Sequence, residues 1–190
     1  MKRLLLVRHA PTPATRRADF PLDEPLDARG QEQAAALAEA IPTRAEAVSS
    51  PARRCRETAA AAGLRPQIDP RLAECDFGAW AGRSLEEIYA EDQAGAAQWM
   101  TDPDAAPHGG ESLAAFSVRV AEWLDEERCS GDGYRVAITH GGVVKASVVH
   151  ALGASLAAFW RIDVSPLSIT EMHAHSDTWT VSRVNATIVR

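Results

Sequence analysis

Short apolar runs alternate with helix-forming segments along this chain. The runs LLLV (4–7) and RVAIT (135–139) predict buried strands, because brief apolar stretches bounded by turn residues are typical of sheet interiors. Two shorter strands are predicted at AEAVSS (45–50) and near residues 67–69. Further along, SITEMHA (168–174) and WTVSRV (179–184) predict an antiparallel pair of edge strands.

Four longer segments have the spacing and composition of helices. They are Gln31 to Ala40, Pro51 to Ala62, the amphipathic stretch Ser112 to Glu127, and the mostly apolar VVKASVVHALG (143–153). Strands that alternate with helices predict an α/β fold, with a mainly parallel central sheet flanked by helices on both faces. SLEEIYAED and AGAAQWM add short helices, which predict a small helical cap excursion at about residues 84–110.

Length and composition narrow the class of protein. A chain of 190 residues suits one domain, so residues 1–190 are expected to share one fold. A net charge of -6 gives no reason to expect nucleic acid as a partner. The first apolar run is too short for a signal peptide or a membrane span, and three unpaired-looking cysteines favour a reducing cytoplasm.

Histidines follow two of the predicted strands at the same point. LLLV ends on Arg8 and His9, and RVAIT is followed directly by His140. In open parallel sheets, sites form outside the carboxyl ends of the strands. The two imidazoles are therefore expected to share one crevice.

Arginines surround these histidines in the sequence. Arg8 precedes His9, while Arg53, Arg54 and Arg56 open a predicted helix, where cations oppose the helix dipole by about 0.3–1 kcal/mol each. A bound anion would remove that conflict, and guanidinium groups bind phosphate oxygens bidentately. The sequence therefore favours a small phosphorylated substrate.

Metal-free chemistry fits the remaining residues. The chain has neither a Walker-type glycine loop nor a carboxylate cluster for magnesium, so no metal and no cofactor are expected. A neutral imidazole can attack phosphorus while a carboxylic acid protonates the leaving oxygen. Glu74, in RLAECDFGAWAG, is the candidate for that acid.

Six motifs in order resemble those of one family. They are LLLVRHAPT, LDARGQEQA, SSPARRCRETA, LAECDFGAWAG, GGES and ITHGG. Over nearly its full length, the chain resembles the histidine phosphatase superfamily, the phosphoglycerate mutase-like group, in the branch with a small cap. This resemblance implies a phosphomonoester hydrolase that works through a phosphohistidine.

The resemblance also assigns roles residue by residue. His9 becomes the phosphorylated nucleophile, Arg8 and Arg54 hold phosphate oxygens, and His140 completes the phosphate pocket. Glu74 acts first as general acid and then as base for water.

Several positions lie beside these motifs. Thr15 stands where many relatives place a phosphate-binding asparagine, and Gly141 is a further candidate for phosphate binding. Ala10 replaces the usual glycine, and Ala81 replaces a frequent glutamate. Six neighbours are expected to have structural or solvated roles: Arg53, Arg56, Arg16, Arg17, His173 and His175. Trp99 and Met100 are expected either to pack in the ordinary way or to form an apolar wall of the pocket, with equal weight.

Other functions stay open at this stage. A mutase would return the phosphoryl group from His9 to a second hydroxyl, but the short cap favours hydrolysis because mutase action requires that water be excluded. A non-catalytic phosphate-binding module would not need both histidines and Glu74. A zinc hydrolase built on the same residues is disfavoured because the adjacent arginines would repel a cation. The exact substrate and a homodimer are left undecided.

Overall fold

The computed structural model describes residues 1–175 and 177–187. Within these residues, six strands form one sheet in the spatial order β3-β2-β4-β1-β5-β6. The strands are β1 (Lys2–Arg8), β2 (Glu46–Ser49), β3 (Gln67–Ile68), β4 (Gly133–Thr139), β5 (Ile169–His175) and β6 (Thr178–Ala186). The pairs from β3 through β1 are parallel, whereas β1–β5 and β5–β6 are antiparallel. The predicted mainly parallel sheet is confirmed.

The C-terminal pair differs from its prediction in one respect. The two strands are antiparallel, as expected, but β5 pairs with β1 on its other side and so lies inside the sheet. Met172 is fully buried there, which suits an interior strand. Only β6 and β3 form the edges of the sheet.

Helices connect the strands and cover both faces of the sheet. They are α1 (Pro13–Arg17), α2 (Ala28–Ala35), α3 (Leu37–Ala40), α4 (Arg53–Ala61), α5 (Leu85–Glu91), α6 (Gln93–Thr101), α7 (Leu113–Cys129) and α8 (Gly141–Ala151). The helix predicted at 31–40 starts earlier, because the Asp27 side chain accepts the Gly30 N–H at 2.7 Å and caps α2. It is also divided into α2 and α3 at Ala36.

Alternation along β1 builds the core on both faces of the sheet. Leu4 and Leu6 belong to the cluster beneath α7 and α8, whereas Leu5 and Val7 belong to the cluster beneath α3 and α4. Successive strand side chains point to opposite faces, so a strand covered on both sides must be apolar throughout. This explains why LLLV is a continuous apolar run.

The register between β1 and β4 positions the residues that follow them. Arg8 lies opposite Thr139, and the His9 N–H donates to the Thr139 carbonyl at 2.8 Å. His9 and His140 therefore leave the sheet from adjacent strands at the same edge.

The predicted cap excursion contains α5 and α6. Ser84 caps α5 in a reciprocal pair of hydrogen bonds with Glu87, and Asp92 caps α6. A small separate cluster of buried Phe20, Trp80, Ile88 and Ala96 holds these helices to the rest of the fold. No helix in the described part of the chain is long and apolar enough to cross a membrane.

Truncation of Leu124 to alanine is expected to lower the free energy of unfolding by about 2–5 kcal/mol, because this fully buried side chain fills the core beneath α7. The matched control is Val118→Ala on the same helix, where the side chain is 57% exposed and the change should stay within about 0.5 kcal/mol. Urea denaturation of both variants measures the difference, and equal effects would contradict the assigned core.

Candidate active site

The two strand-end histidines face each other at the edge of the sheet. Their ring centroids are 5.2 Å apart with an interplanar angle of 69°, and both side chains are almost completely buried. His9 follows β1 and His140 precedes α8, so adjacent parallel strands deliver both rings. The predicted shared crevice is therefore present.

Arg54 bridges the two imidazoles. Its Nε–H donates to His9 Nε2 at 3.2 Å, and its Nη2 donates to His140 Nδ1 at 3.1 Å. Because guanidinium can only donate, both of these ring nitrogens must be acceptors. The other nitrogen of each ring then carries the proton.

Hydrogen bonds on the far side of each ring agree with this assignment. His9 Nδ1–H donates to the Ala10 carbonyl at 2.7 Å, and His140 Nε2–H donates to Ser50 Oγ at 2.8 Å. Both histidines are therefore neutral, with the lone pair of His9 on Nε2. Ser50 was not singled out from the sequence, and the Ser-Ser pair before Pro51 was the only signal for it.

The protonation of both histidines follows from their surroundings. Burial, reinforced by the positive charges of Arg54 and Arg8, lowers the pKa of His9 to about 3, despite its hydrogen bond to the Ala10 carbonyl. Burial and the charge of Arg54 also lower the pKa of His140 well below its usual value. A neutral imidazole with a free lone pair is the form that can act as a nucleophile.

Arg8 lies on the other side of this crevice with an unused donor. Its Nη1 donates to the Val164 carbonyl at 2.5 Å, while its buried Nε has no hydrogen-bond partner among the described residues. A buried donor without a partner is costly unless a ligand satisfies it. Gly141 lies beside this guanidinium, and a Cβ at position 141 would be 3.4 Å from Arg8 Nε, an ordinary van der Waals contact.

Only one of the three arginines at the start of α4 reaches the site. Arg54 is buried, and its Nη1 also donates to the Leu22 carbonyl at 2.7 Å. Arg53 forms an ion pair with Glu57 one turn along the helix, and Arg56 is exposed. The distinction that the resemblance implied between Arg54 and its neighbours therefore agrees with the geometry.

Glu74 approaches the same crevice from the loop before the cap. Its Oε2 accepts the Gly142 N–H at 3.1 Å, and its Oε1 accepts the Cys75 N–H at 3.1 Å. A Cβ at position 142 would overlap the Glu74 carboxyl group, so a larger residue there would displace this carboxylate. The second glycine of ITHGG thus allows the carboxylate to rest on the start of α8.

Arg119 holds the loop that carries Glu74. Its guanidinium donates to the carbonyls of Arg71 at 2.6 Å and Ala73 at 3.0 Å, and it pairs with Glu111 at 2.7 Å. The GGES motif runs into the helix predicted from Ser112, but the sequence did not reveal this brace. Glu111 and Arg119 are eight residues apart, which is about two helical turns. They pair because both side chains also contact the loop that carries Glu74.

Thr15 and Ala10 both form hydrogen bonds within the protein. The Thr15 hydroxyl donates to the Thr12 carbonyl at 2.8 Å and accepts the Thr12 N–H at 2.7 Å, so it caps α1 although the residue borders the cavity. Ala10 has no positive φ, and its N–H donates to Thr58 Oγ1 at 3.0 Å. The backbone at position 10 therefore accommodates a Cβ without strain.

A cavity of about 470 Å³ opens from these residues toward the cap. Trp99 and Met100 line it, as one of the two interpretations of the sequence proposed. Burial raises the pKa of the neighbouring Cys55 thiol to about 12, so this cysteine stays protonated at neutral pH and does not compete as a nucleophile.

The remaining polar residues have partners elsewhere. Arg16 pairs with Asp27, Arg17 pairs with Asp19, and His173 bonds to Ser182. The described residues include no group of three or more histidine, cysteine or acidic side chains placed to hold a metal ion. Ala81 ends a short turn at Gly78–Trp80.

Comparison with known proteins identifies the family. Residues 4–187 match the family model of the histidine phosphatase superfamily (branch 1). The chain belongs to this superfamily. The predicted family and the predicted α/β fold are thereby confirmed.

Named relatives of this superfamily member are phosphatases. The glucosyl-3-phosphoglycerate phosphatase of Mycolicibacterium vanbaalenii is 31% identical over an alignment of 215 positions. The alignment covers 96% of each chain. The putative phosphoserine phosphatase 2 of Hydrogenobacter thermophilus is 30% identical over an alignment of 194 positions. That alignment covers 97% of this chain and 96% of the relative. The predicted class of histidine phosphatase is supported at the level of the family.

Solved structures show the same architecture. A mycobacterial glucosyl-3-phosphoglycerate phosphatase in complex with VO3 superimposes with a TM-score of 0.85 at 30% identity, covering 98% of this chain and 100% of that one. A putative alpha-ribazole-5'-P phosphatase from Escherichia coli superimposes with a TM-score of 0.86 at 26% identity, covering 100% and 99%.

Replacement of His9 by glutamine is expected to make the protein less sensitive to acid. The folded-state pKa of His9 lies below the unfolded value, so the unfolded chain takes up a proton below about pH 6.5 that the folded chain takes up only near pH 3. Between those values, each such histidine lowers the free energy of unfolding by about 1.4 kcal/mol per pH unit as the pH falls.

Urea denaturation at pH 6.5, 5.5 and 4.5 measures this dependence for the wild type, His9→Gln and the control His150→Gln on the surface of α8. The slope of stability against pH should decrease for His9→Gln alone. An unchanged slope would show that His9 is protonated in the folded protein.

Proposed function

We propose that this protein is a phosphomonoester hydrolase that transfers the phosphoryl group first to Nε2 of His9 and then to water. The observation that carries the proposal is the state of His9, a buried neutral imidazole whose Nδ1–H is held by the Ala10 carbonyl and whose Nε2 lone pair faces Arg54. A nucleophile in this form needs no general base to remove a proton before it attacks phosphorus.

Phosphate would replace the contacts that Arg54 makes with the imidazoles. When a phosphoryl oxygen enters the crevice, the Arg54 donors move from His9 Nε2 to that oxygen and release the lone pair. The unpartnered Arg8 Nε supplies a second donor, and His140 borders the same space. Charge-assisted bonds of this kind stabilise the negative charge that the oxygens carry in the transition state.

In the first step, His9 Nε2 attacks phosphorus and the bond from phosphorus to the ester oxygen breaks. Glu74 gives its proton to that oxygen, so the alcohol leaves as a neutral molecule. In the second step, the Glu74 carboxylate takes a proton from water, the water oxygen bonds to phosphorus, and the phosphorus–nitrogen bond breaks. Inorganic phosphate leaves, and His9 and Glu74 return to their starting states.

The cap favours hydrolysis over mutase action. Its two helices, α5 and α6, are short, and the exposed Met100 stands at the cavity that leads to His9. Water therefore has access to the phosphohistidine, whereas a mutase must exclude it while the intermediate is used again.

The His9→Ala variant is expected to lose hydrolysis of 4-nitrophenyl phosphate, because the proposal assigns the attack on phosphorus to Nε2 of His9. The assay is run between pH 5 and 8 with EDTA present. Wild-type turnover should persist in the chelator, since the proposal assigns phosphate binding to guanidinium and imidazole groups.

A control variant separates this loss from general damage. Arg56→Gln changes an exposed residue on the same helix as Arg54 and should retain wild-type turnover. Turnover that survives in His9→Ala would exclude His9 as the nucleophile, and turnover abolished by EDTA would point to a metal-dependent reaction.

Glu74→Gln is expected to affect poor leaving groups more than good ones. Loss of the general acid should lower kcat/KM for an alkyl phosphate by about 10²–10⁴-fold, because an alkoxide must otherwise leave unprotonated. The effect on 4-nitrophenyl phosphate should be much smaller, since nitrophenolate needs little protonation. Steady-state kinetics on both esters test the assignment, and equal losses would make Glu74 a binding or structural residue.

A further inference from the structure

Lys145 is a charged residue of the cavity that the proposed mechanism leaves unused. It lies on α8, four residues after Gly141 and three after Gly142, and this spacing places all three on one face of the helix. All three residues line the cavity that leads to His9. Lys145 therefore faces this cavity about one turn away from the contact between Gly142 and Glu74.

The ammonium group of Lys145 is available to a ligand. It is half-buried and forms no ion pair with any carboxylate in the described part of the chain. The ammonium group lies over the ring of Phe159, with Nζ 5.3 Å from the ring centroid. Burial lowers the pKa of Lys145, while the more distant charges of Glu74 and Asp163 act in the opposite direction. A half-buried cation with space in front of it is suited to bind an anion from the ligand.

Aromatic side chains form the wall next to this cation. We call this surface the aromatic wall, made of Phe20, Phe77, Trp99, Phe159 and Trp160. Trp99 and Trp160 meet edge to face with centroids 4.7 Å apart, and Phe159 and Trp160 with centroids 5.1 Å apart. Such a surface favours a flat or apolar part of a ligand over a fully hydrated one.

We propose that Lys145 selects phosphomonoesters whose leaving group carries a carboxylate next to a flat apolar body that packs on the aromatic wall. This inference rests on the proposed hydrolase function and extends it to the class of leaving group. A single negative charge fits better than a second phosphate, because Lys145 supplies one positive charge and Asp163 lines the same cavity. Lys145 balances the charge of a carboxylate, whereas a dianion would keep an unbalanced negative charge beside Asp163. The arginines around His9 are already assigned to the transferred phosphoryl group.

A matched pair of esters tests this selection. Phenyl phosphate lacks the carboxylate, 3-carboxyphenyl phosphate carries it, and both place an aromatic ring against the aromatic wall. The wild type should prefer the carboxylated ester by about tenfold in kcat/KM, as expected for a charge-assisted contact. Lys145→Met should remove this preference, and Lys145→Arg should retain most of it.

Charge reversal makes the test more specific. Lys145→Glu should favour 3-(aminomethyl)phenyl phosphate over 3-carboxyphenyl phosphate, the opposite of the wild-type order. Arg65→Gln, which neutralises an exposed cation close to edge strand β3, is the matched control for loss of one positive charge and should keep the wild-type preference.

The outcomes separate the two proposals. Equal losses on both esters in Lys145→Met would show that Lys145 binds the transferred phosphoryl group, and would overturn the inference. Hydrolysis of phenyl phosphate by the wild type with no preference between the esters would overturn the inference while leaving the hydrolase intact. A wild type inert on both esters would overturn the hydrolase and this inference with it.

Discussion

The hydrogen bond from the His9 N–H to the Thr139 carbonyl extends the ladder between β1 and β4 one residue beyond β1. It aligns the ends of two strands whose side chains are buried on both faces, so their register cannot slip without exposing apolar residues. The two histidines therefore leave the sheet side by side. Arg54 and Ser50 then reach rings whose positions are already determined by the sheet.

Burial and positive charge act together on this pair of rings. Each alone would favour neutral histidine, and together they lower the pKa of His9 to about 3. The same arginines that prevent protonation are available to bind a phosphoryl group, so in the proposed reaction one set of charges both keeps His9 neutral and binds the anionic substrate. Arg54 donates to both imidazoles and a carbonyl and lies 3.8 Å from Glu24 Oε2, and these contacts offset the cost of burying its charge.

In the proposed function, phosphoryl transfer and the selection of the leaving group depend on different groups of residues. The edge of the sheet and the starts of α4 and α8 supply the groups assigned to phosphoryl transfer, and Arg119 steadies the loop that carries Glu74. The cap and the Leu156–Arg161 turn supply most of the aromatic wall beside Lys145. The cap residues can therefore change with the leaving group while the sheet edge is retained, as expected when function lies in sites placed on a common fold.

Sequence alone determined the elements and the order of the motifs, because helix and strand periodicity and turn residues are local properties of the chain. It placed His9 and His140 after two parallel strands, and the family resemblance separated Arg54 from Arg53 and Arg56. Only tertiary structure decided that β5 lies inside the sheet, that Arg119 braces the Glu74 loop, and that the Thr15 hydroxyl is used in a helix cap. Those features depend on which distant segments meet, and a local pattern does not contain that information.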